Sequence, residues 1–352
     1  MLTGMPQDQD DEGDMLYLAK EKGVWPIIIP ELGRSLNLRN DLTAFWKIFS
    51  QISKEKPEII HTHTAKAGAL GRLAALLYKC FHPRAKIKLV HTFHGHVLHG
   101  YFNKAKSRIF IRIERFLAAF THRIIAVSES VKDELVKLRV AGPEKITVIP
   151  LGLELDNFFK IRRNGITNRD YKTVAIIGRL VPIKNHRMFL EAAKKVKELL
   201  GGRECCKFMI VGDGPLGPSL KSYASTLGLD NEVIFTGWKK DLSGVYSEAD
   251  IVALTSLNEG TPVALIEAQA AACPCVATNV GGVADVITEG KSGFLVALED
   301  LESFVESLLK LLYNPTLARV MGEYGREAIR DKFSKEQLIG NMENLYRRLA
   351  SE

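Results

Sequence analysis

Residues 251–278 read IVALTSLNEGTPVALIEAQAAACPCVAT. Two short apolar runs, Ile251–Thr255 and Pro274–Thr278, enclose an alanine-rich segment long enough for a helix. Thr261 followed by Pro262 predicts where that helix begins, with the hydroxyl as the cap and proline at the first helical position. A strand, a helix and a second strand in this order predict a βαβ unit, in which the two strands run parallel.

The same alternation extends along the whole chain. Near-continuous apolar runs separated by helical patterns predict parallel sheets that helices cover on both faces. The polar stretch Lys160–Lys172 interrupts the pattern and predicts a linker between residues 1–160 and 161–333. We therefore predict an α/β fold of two doubly wound, Rossmann-like domains facing a cleft, with ligands beyond the carboxyl ends of the strands. The other predicted strands are Pro26–Pro30, Ile59–Thr64, Ile87–Gly95, Arg123–Ser128, Ile146–Gly152, Thr173–Gly178, Lys207–Gly212, Val233–Gly237 and Gly293–Val296.

The beginning of the sequence does not follow this plan. Met1-Leu-Thr-Gly4 resembles the tip of a strand already in progress. A doubly wound domain normally opens with a complete strand, a glycine-rich turn and a helix. We therefore expect the first βα unit to be missing from this chain.

Composition indicates a globular protein of the cytoplasm. No apolar run approaches the roughly 18–20 residues that a membrane-spanning helix requires. The acidic stretch Gln7–Asp14 lacks the basic-then-apolar order of a signal peptide. Five cysteines, with Cys205 and Cys206 adjacent, do not form a secreted disulfide framework.

The positive net charge of +7 is concentrated in the first half of the chain. From Lys47 to Arg123 there are fifteen Lys and Arg against three acids, and residues 104–117 form a basic amphipathic pattern. This pattern favours either a helix lying on an anionic membrane surface or a core-facing helix with a solvated basic back. Because no recognised nucleic-acid-binding motif accompanies the charge, we expect no nucleic-acid partner.

Two glutamates of the opening segment are candidates for ligand binding. Glu267 falls in mid-helix, and its neighbours three and four residues away are valine and alanine. Such a carboxylate is costly to bury unless something hydrogen-bonds it, and the vicinal hydroxyls of a ribose would do so. Glu259 stands at the carboxyl end of the strand, where a ligand would lie. The alternatives are a pair between Glu267 and a basic residue of a neighbouring strand, and a solvated loop acid at Glu259.

Arg179 and Lys184 follow the first strand of the second half. Lys184 in a first helical turn would oppose the helix dipole, at a cost of about 0.3–1 kcal/mol, and a bound anion would reverse that penalty. The forked guanidinium and the ammonium suit a pyrophosphate. The alternative is a basic surface without a ligand.

Gly212-Asp213-Gly214-Pro-Leu-Gly217 matches the G-x-G-x-x-G dinucleotide pattern, and Glu232 lies about 20 residues further on. That pattern belongs to the first strand of a nucleotide-binding domain, whereas this strand is the second. We interpret it as a glycine turn that lines the same ligand site, and a hydride-transfer enzyme is the alternative.

Histidines crowd the ends of two strands in the first half. They fit polar contacts to a sugar or an acceptor, and zinc is the alternative, although no cysteine or carboxylate accompanies them at a recognised spacing. No D-x-D triplet for a metal-bound diphosphate lies in the cleft segments. These histidines are His61, His63, His91, His94, His96 and His99.

Together these motifs resemble the retaining, family 4 glycosyltransferases of the GT-B fold. The resemblance covers nearly all of the chain, and its motifs occur in the family's order. They are His61-Thr-His63, Thr92–His96, Gly178-Arg179 with Lys184, Gly212–Pro215, Phe235–Gly237, Glu259-x7-Glu267 with Ala268, and Pro274–Gly282.

The resemblance implies transfer from a nucleotide-sugar to a glycan or lipid-linked acceptor, with retention of configuration and no metal or other cofactor. It implies that Glu267 binds the ribose, that Glu259 contacts the donor sugar and that His94 lies beside the reacting centre. Arg179 and Lys184 would hold the diphosphate and stabilise it as it leaves. The remaining donor-side candidates are Gly212, Asp213, Gly214, Gly237, Gly260, Thr261 and Pro262, and the acceptor side comprises His61, His63, His94 and His96.

The family pattern also implies that the closing segment, residues 334–352, forms a helix that crosses back to the first domain. Two motifs depart from the pattern: Gly260-Thr-Pro262 replaces Gly-Phe-Gly, and Ala272 stands where a helix-ending glycine is usual. Two alternatives to a transferase remain open. One is a nucleotide-sugar epimerase of the same fold, and the other is a truncated chain that binds the donor without turnover.

Overall fold

The computed structural model describes residues 1–4, 16–33, 37–95, 104–162, 171–201 and 206–352, without the side chains of residues 16–18 and 104–106. Within these residues the chain alternates between strands and helices, as predicted. The strands are β1 Leu2–Thr3, β2 Ile27–Ile28, β3 Ile59–His63, β4 Lys88–Phe93, β5 Arg123–Ala126, β6 Ile146–Val148, β7 Lys172–Ile177, β8 Cys206–Val211, β9 Val233–Gly237, β10 Ile251–Leu254, β11 Cys275–Thr278 and β12 Gly293–Val296. The helices are α1 Leu16–Glu21, α2 Leu38–Glu55, α3 Ala65–Phe81, α4 Lys104–Phe120, α5 Glu129–Lys137, α6 Asp156–Phe159, α7 His186–Leu199, α8 Gly217–Thr226, α9 Ser243–Glu248, α10 Val263–Ala270, α11 Leu301–Tyr313, α12 Pro315–Ile329 and α13 Lys335–Ser351.

Every predicted strand is confirmed, and most strand ends lie within two residues of the prediction. β6 is shorter than predicted, ending at Val148. Pro150 follows two residues later and has no amide hydrogen to donate to a strand ladder. The segment Met1–Gly4, which resembles a strand tip, contains β1, and β1 pairs in parallel with β2.

The chain divides into two compact units by its contacts. Unit 1 comprises residues 1–126, 132–148 and 342–352, and unit 2 comprises residues 127–131 and 149–341. The predicted boundary at residue 160 follows α6, whereas the contacts assign α6 to unit 2. The reason is that Leu155, just before α6, is buried in the core of unit 2. The end of α13 belongs to unit 1, where Lys88 forms an ion pair with Glu352.

Unit 2 is built on a six-stranded parallel sheet with the order β12-β11-β10-β7-β8-β9. Successive side chains of β7 alternate between two buried clusters, with Val174 and Ile176 in one and Ala175 and Ile177 in the other. Both faces of the sheet are therefore covered, as the near-continuous apolar runs predict.

Unit 1 contains a four-stranded parallel sheet, β3-β4-β5-β6, and the pair β1-β2. Helix α2 begins at a cap in which the side chain of Asn37 accepts hydrogen bonds from the backbone of Arg39 and Asn40. Its apolar side, Ala44, Ile48 and Ile52, is buried with α3 against the sheet. The spacing of four residues is that of one helix face. The predicted α/β fold with parallel sheets is thus confirmed.

Ala272 ends α10 in the left-handed conformation, with φ of +53°. An L-residue there costs roughly 1–2 kcal/mol relative to the right-handed form, which explains why glycine is usual at such positions. Ala272 adopts this unfavourable conformation in the turn between α10 and β11.

Candidate active site

Three loops of unit 2 meet at the carboxyl ends of the central strands. The loop after β7 is bonded to the end of β8 and to the loop that follows it. Gly178 N–H donates to the carbonyl of Val211, the last residue of β8, at 2.9 Å, and Leu180 N–H donates to that of Asp213 at 2.8 Å. The loop after β7 is also bonded to the loop after β10, since Leu257 N–H donates to the carbonyl of Ile183 at 2.8 Å. The candidates Arg179, Asp213 and Glu259 are therefore carried by loops at one edge of the sheet, where ligands of such sheets bind.

The glycine turn after β8 permits this close packing. Gly212 and Gly214 have φ of +133° and +154°, a region that side-chain-bearing residues rarely adopt. A methyl group at Gly212 would clash with the carbonyl of Gly178, and one at Gly214 would lie 2.7 Å from the carbonyl oxygen of Leu180. Gly212 N–H also donates to the carbonyl of Gly237 at 3.0 Å. Gly212 and Gly214 therefore allow the loop after β8 to pack closely against the loop after β7.

Lys184 and Glu259 form an ion pair, with 2.6 Å between Nζ and Oε1. The hydroxyl of Ser256 donates to the same Oε1 at 2.6 Å, and the Glu259 side chain is only 9% exposed. Glu259 is thus not a solvated loop acid. Sequence reasoning missed Ser256, although its position three residues before Glu259 could have indicated a hydroxyl partner.

The predicted position of Lys184 in a first helical turn is wrong. Lys184 ends a short 3-10 turn, Pro182–Lys184, and α7 begins only at His186. Asn185 intervenes in the left-handed conformation, with φ of +49°, and so breaks the continuity between the two helices. The ammonium of Lys184 therefore pairs with Glu259 and does not lie in the first turn of α7. Arg179 lies on the same loop and is exposed.

The predicted helix start at Thr261 and Pro262 is one residue early. Pro262 adopts an extended conformation, with ψ of 92°, and α10 begins at Val263 without a side-chain cap. The hydroxyl oxygen of Thr261 is buried and has no hydrogen-bond partner in the described part of the chain. The carbonyl of Gly260 lies against Gly282, where no side chain would fit. Gly282 N–H in turn donates to the carbonyl of Glu259 at 3.2 Å, which fixes this loop.

Glu267 is held by a residue that the sequence did not suggest. The phenol of Tyr246, on α9, donates to Glu267 Oε2 at 2.8 Å and lies 3.1 Å from the carbonyl oxygen of Ala264. Burial raises the pKa of Glu267, and the bond from Tyr246 lowers it in part. The carboxylate is thus desolvated and oriented, with one oxygen engaged by the protein.

We predict that Tyr246→Phe weakens nucleotide binding about tenfold or more, because a hydrogen bond to a charged group is worth about 1.5–3 kcal/mol. Loss of the phenol also removes a contact that lowers the pKa of Glu267. Binding that needs the carboxylate should then fail at a higher pH than in the wild type. Calorimetric titration with UDP and GDP between pH 5 and pH 8 measures both effects. Unchanged affinity and an unchanged pH midpoint would contradict the positioning role of Tyr246.

The histidines that the sequence assigns to the acceptor side cluster within unit 1. His63 Nδ1 lies 2.9 Å from His94 Nε2, so one ring donates and the other accepts. The rings of His61 and His63 lie 4.2 Å apart. His61 is bonded to the hydroxyls of Thr92 at 2.7 Å and Tyr346 at 2.6 Å, the latter on α13. Sequence reasoning missed Tyr346, which lies far along the chain, and His96 and His99 lie outside the described residues.

Burial and mutual repulsion keep these histidines neutral. Burial, together with the nearby His63 and His94, lowers the pKa of His61 to about 3. The pKa values of His63 and His94 are also lowered by burial. Neutral imidazoles can accept hydrogen bonds from hydroxyl groups, which suits contact with a sugar. No group of three or more His, Cys, Asp or Glu side chains in the described ranges is arranged to hold a metal ion.

We expect acid to destabilise the fold through its buried histidines, and His186 offers a clean test. Burial, together with the nearby charge of Lys184, lowers the pKa of His186 to about 4, and neither ring nitrogen has a partner among the described residues. Because the folded pKa lies below the unfolded value of about 6.5, the unfolded chain binds more protons, and stability falls as pH decreases from about 6.5 to 4.

Between pH 7 and pH 5 the free energy of unfolding should therefore fall less for His186→Leu than for the wild type. The difference between the two decreases should be up to about 2 kcal/mol. Denaturant unfolding at both pH values measures this difference, with His82→Gln, at an exposed position, as the control. Equal acid sensitivity of the His186→Leu and wild-type chains would contradict the assignment.

Comparison with known proteins identifies the class to which this fold and site belong. Residues 6–157 match the family described as Glycosyltransferase Family 4, and residues 157–328 match Glycosyl transferases group 1. The chain is 30% identical to UDP-Gal:alpha-D-GlcNAc-diphosphoundecaprenol alpha-1,3-galactosyltransferase from Escherichia coli, over 96% of this chain and 89% of that protein. It is 26% identical to the capsular polysaccharide biosynthesis glycosyltransferase CapM from Staphylococcus aureus, over 92% of this chain and 85% of that protein.

The fold agrees with solved structures. The Anabaena protein Alr3699/HepE in complex with UDP superposes with a TM-score of 0.79 at 19% identity, over 100% of this chain and 92% of that chain. This chain therefore belongs to the family 4, group 1 glycosyltransferases, and the predicted GT-B fold is confirmed. It is an enzyme of the glycosyltransferase class. Of the two enzyme classes that the sequence left open, the comparisons support the transferase and not the epimerase.

Proposed function

We propose that this chain transfers a sugar from a UDP- or GDP-sugar to a lipid-linked or surface-polysaccharide acceptor, with retention of anomeric configuration and without a metal ion. The observation that carries the proposal is the desolvated carboxylate of Glu267, which Tyr246 holds by one oxygen. A carboxylate in this state gains most from a ligand with paired hydroxyl donors, and a ribose presents such a pair.

The basic side chains of the loop after β7 support a diphosphate leaving group. Lys184 is held at one place by Glu259, and Arg179 is exposed on the same loop. Fixed cations aimed at a departing diphosphate can stabilise the charge that develops there, which is the role a metal ion takes in other transferases. Retention of configuration is part of the proposal and rests on the family resemblance.

The names of the relatives support the donor and acceptor classes. The Escherichia coli relative is named for UDP-Gal and for an acceptor that carries a diphosphoundecaprenol, and the Staphylococcus aureus relative for capsular polysaccharide. The Anabaena structure contains UDP, and a related one contains UDP-glucose. We propose a cytoplasmic enzyme that meets its acceptor at the inner face of a membrane. No helix in the described part of the chain is long and apolar enough to cross a bilayer.

A transfer assay tests the proposal. The full chain is incubated in EDTA with UDP-glucose, UDP-galactose, UDP-N-acetylglucosamine or GDP-mannose and a short-chain polyprenyl diphosphate sugar. We expect one donor to give a new glycoside whose anomeric configuration, read by NMR coupling constants, equals that of the donor. An isomerised donor without a glycoside would indicate an epimerase. Donor binding without product would indicate a chain that binds without turnover, an inverted product would contradict retention, and product only after Mg²⁺ or Mn²⁺ is added would contradict metal independence.

A further inference from the structure

Helix α4 carries a row of exposed apolar side chains, which we call the α4 ridge: Ile109, Ile113, Phe116 and Phe120. Their spacing of four, three and four residues places all four on one stripe of the helix. Ile109 is 57% exposed and Phe116 is 56% exposed, and the rings of Phe116 and Phe120 contact each other edge to face at 5.2 Å. Large apolar side chains on successive turns of one helix mark a binding surface more often than scattered single ones do.

A row of arginines runs beside the ridge. Arg108, Arg112 and Arg115 are exposed, and each directly precedes a member of the ridge, so the second row lies about 100° around the helix from the first. The guanidinium of Arg115 is fixed there by two hydrogen bonds to the carbonyl of Leu138, at 2.7 and 3.0 Å. An apolar stripe bordered by cations is the pattern of helices that lie in a membrane interface.

Buried contacts on the other side of α4 fix the outward orientation of the ridge. Glu114, on the opposite side of α4, is buried and accepts two hydrogen bonds from Arg72 at 2.8 and 2.9 Å. Arg72, on α3, is fully buried and also donates to the carbonyl of Gly68. Leu117 is buried on the same side. Turning α4 to bury the ridge would break this ion pair and leave a buried charge without a partner, which is strongly unfavourable.

We infer that the α4 ridge docks on the surface of an anionic phospholipid membrane, the ridge entering the interface while the arginines meet lipid phosphates. This inference rests on the proposed function, in which the acceptor is lipid-linked. It corrects the core-facing interpretation of the helix, because α4 buries one side and exposes a second apolar stripe.

Charge favours the membrane over a second copy of this chain. The sequence from Lys47 to Arg123 has fifteen basic residues against three acidic ones, and one of those acids, Glu114, is neutralised by Arg72. A second copy docked through the same ridge would bring its own arginines against these, and like charges repel across an interface. An anionic lipid surface attracts them instead, by roughly fivefold in affinity for each basic side chain near the surface.

Vesicle binding without donor or acceptor tests the docking surface. The full chain is sedimented with vesicles of 30% phosphatidylglycerol in phosphatidylcholine, and with vesicles of phosphatidylcholine alone. We expect the wild type to prefer the anionic vesicles by at least about tenfold, and to release them in high salt. Ile113→Ser with Phe116→Ser should weaken binding about tenfold or more, because two large apolar contacts are lost. Arg108→Gln with Arg112→Gln should weaken binding to the anionic vesicles about 25-fold.

Ile339→Ser is the matched control, because Ile339 on α13 is 54% exposed and lies away from the ridge in the sequence. It should bind vesicles as the wild type does. Wild-type binding that is absent, or equal for both vesicle types, would overturn the inference, and so would ridge variants that bind as the wild type does. A ridge variant that changes from dimer to monomer in sedimentation velocity, without any vesicle binding by the wild type, would assign the ridge to a second copy.

The two proposals fail separately. UDP and GDP titration and circular dichroism on each variant report whether the donor site and the fold persist. Lost vesicle binding with retained nucleotide binding confirms a docking role for the ridge apart from the donor site. Vesicle binding by a chain that forms no glycoside would reject the proposed transfer and leave the docking surface in place.

Discussion

Glu267→Ala is expected to weaken nucleotide binding at least about 100-fold while leaving the folded chain as stable as the wild type. Two bonds from ribose hydroxyls to a carboxylate would be lost, each worth about 1.5–3 kcal/mol. The free energy of unfolding should change little, because burying the Glu267 carboxylate already destabilises the folded state. Burial raises the pKa of Glu267, so the folded state disfavours the ionised form at neutral pH relative to the unfolded chain.

The structure shows why removal of this carboxylate should be tolerated. The phenol of Tyr246, which loses Glu267 as an acceptor, still lies 3.1 Å from the carbonyl oxygen of Ala264. We expect the free energy of unfolding of Glu267→Ala to stay within about 1 kcal/mol of the wild type. Glu306→Ala, which removes an exposed glutamate of α11, is the matched control and should retain nucleotide binding. Glu267→Gln keeps the shape of the side chain, and its nucleotide affinity should lie between those of Glu267→Ala and the wild type.

Lys184→Met should lower kcat by about 100- to 1000-fold, with a smaller effect on donor affinity. A fixed donor aimed at developing charge contributes about 2.7–4 kcal/mol in the transition state and less in the ground state. Lys194→Met, at an exposed lysine of α7, is the control. Steady-state kinetics separate the two outcomes, and a loss confined to KM would contradict a role in stabilising the leaving group.

Lys184 also has a structural role that a second variant isolates. Glu259, with only 9% of its side chain exposed, would lose its ion-pair partner and keep the hydroxyl of Ser256. We expect Lys184→Met to destabilise the fold by about 1–3 kcal/mol for this reason. Lys184→Met with Glu259→Gln should recover much of the stability and none of the activity. Recovered activity in the double variant would show that the kinetic loss came from an unpaired glutamate rather than from the missing ammonium.

The sequence predicts the strands and their parallel arrangement well, because apolar β-branched runs between helices have few other solutions. It also predicts that Glu267 needs a partner, since its helix neighbours are apolar. The partner itself could not be predicted. Tyr246 sits on a short helix, and only the folded arrangement of α9 and α10 brings its phenol to the carboxylate. The same holds for Tyr346 and His61, which lie in widely separated parts of the chain.

Local geometry at helix starts was less predictable. The residue types at Thr261-Pro262 satisfy the rules for a helix start, and the sequence also places Lys184 in a first helical turn. An extended Pro262 and a left-handed Asn185 delay both helices. These are backbone choices that tertiary contacts decide, such as the bond from Gly282 N–H to the carbonyl of Glu259. For α4, the sequence shows the amphipathic pattern and leaves open which side faces inward. The buried pair of Arg72 and Glu114 decides that question.

The most direct test of the donor site is a parallel titration of the wild-type chain and Glu267→Ala with UDP and with GDP in EDTA. We expect one of the two nucleotides to bind the wild type at one site per chain, and to bind the folded Glu267→Ala variant at least about 100-fold more weakly. Equal affinity of that nucleotide for both chains, or failure of the folded wild type to bind either one, would contradict a nucleotide-sugar site built on Glu267.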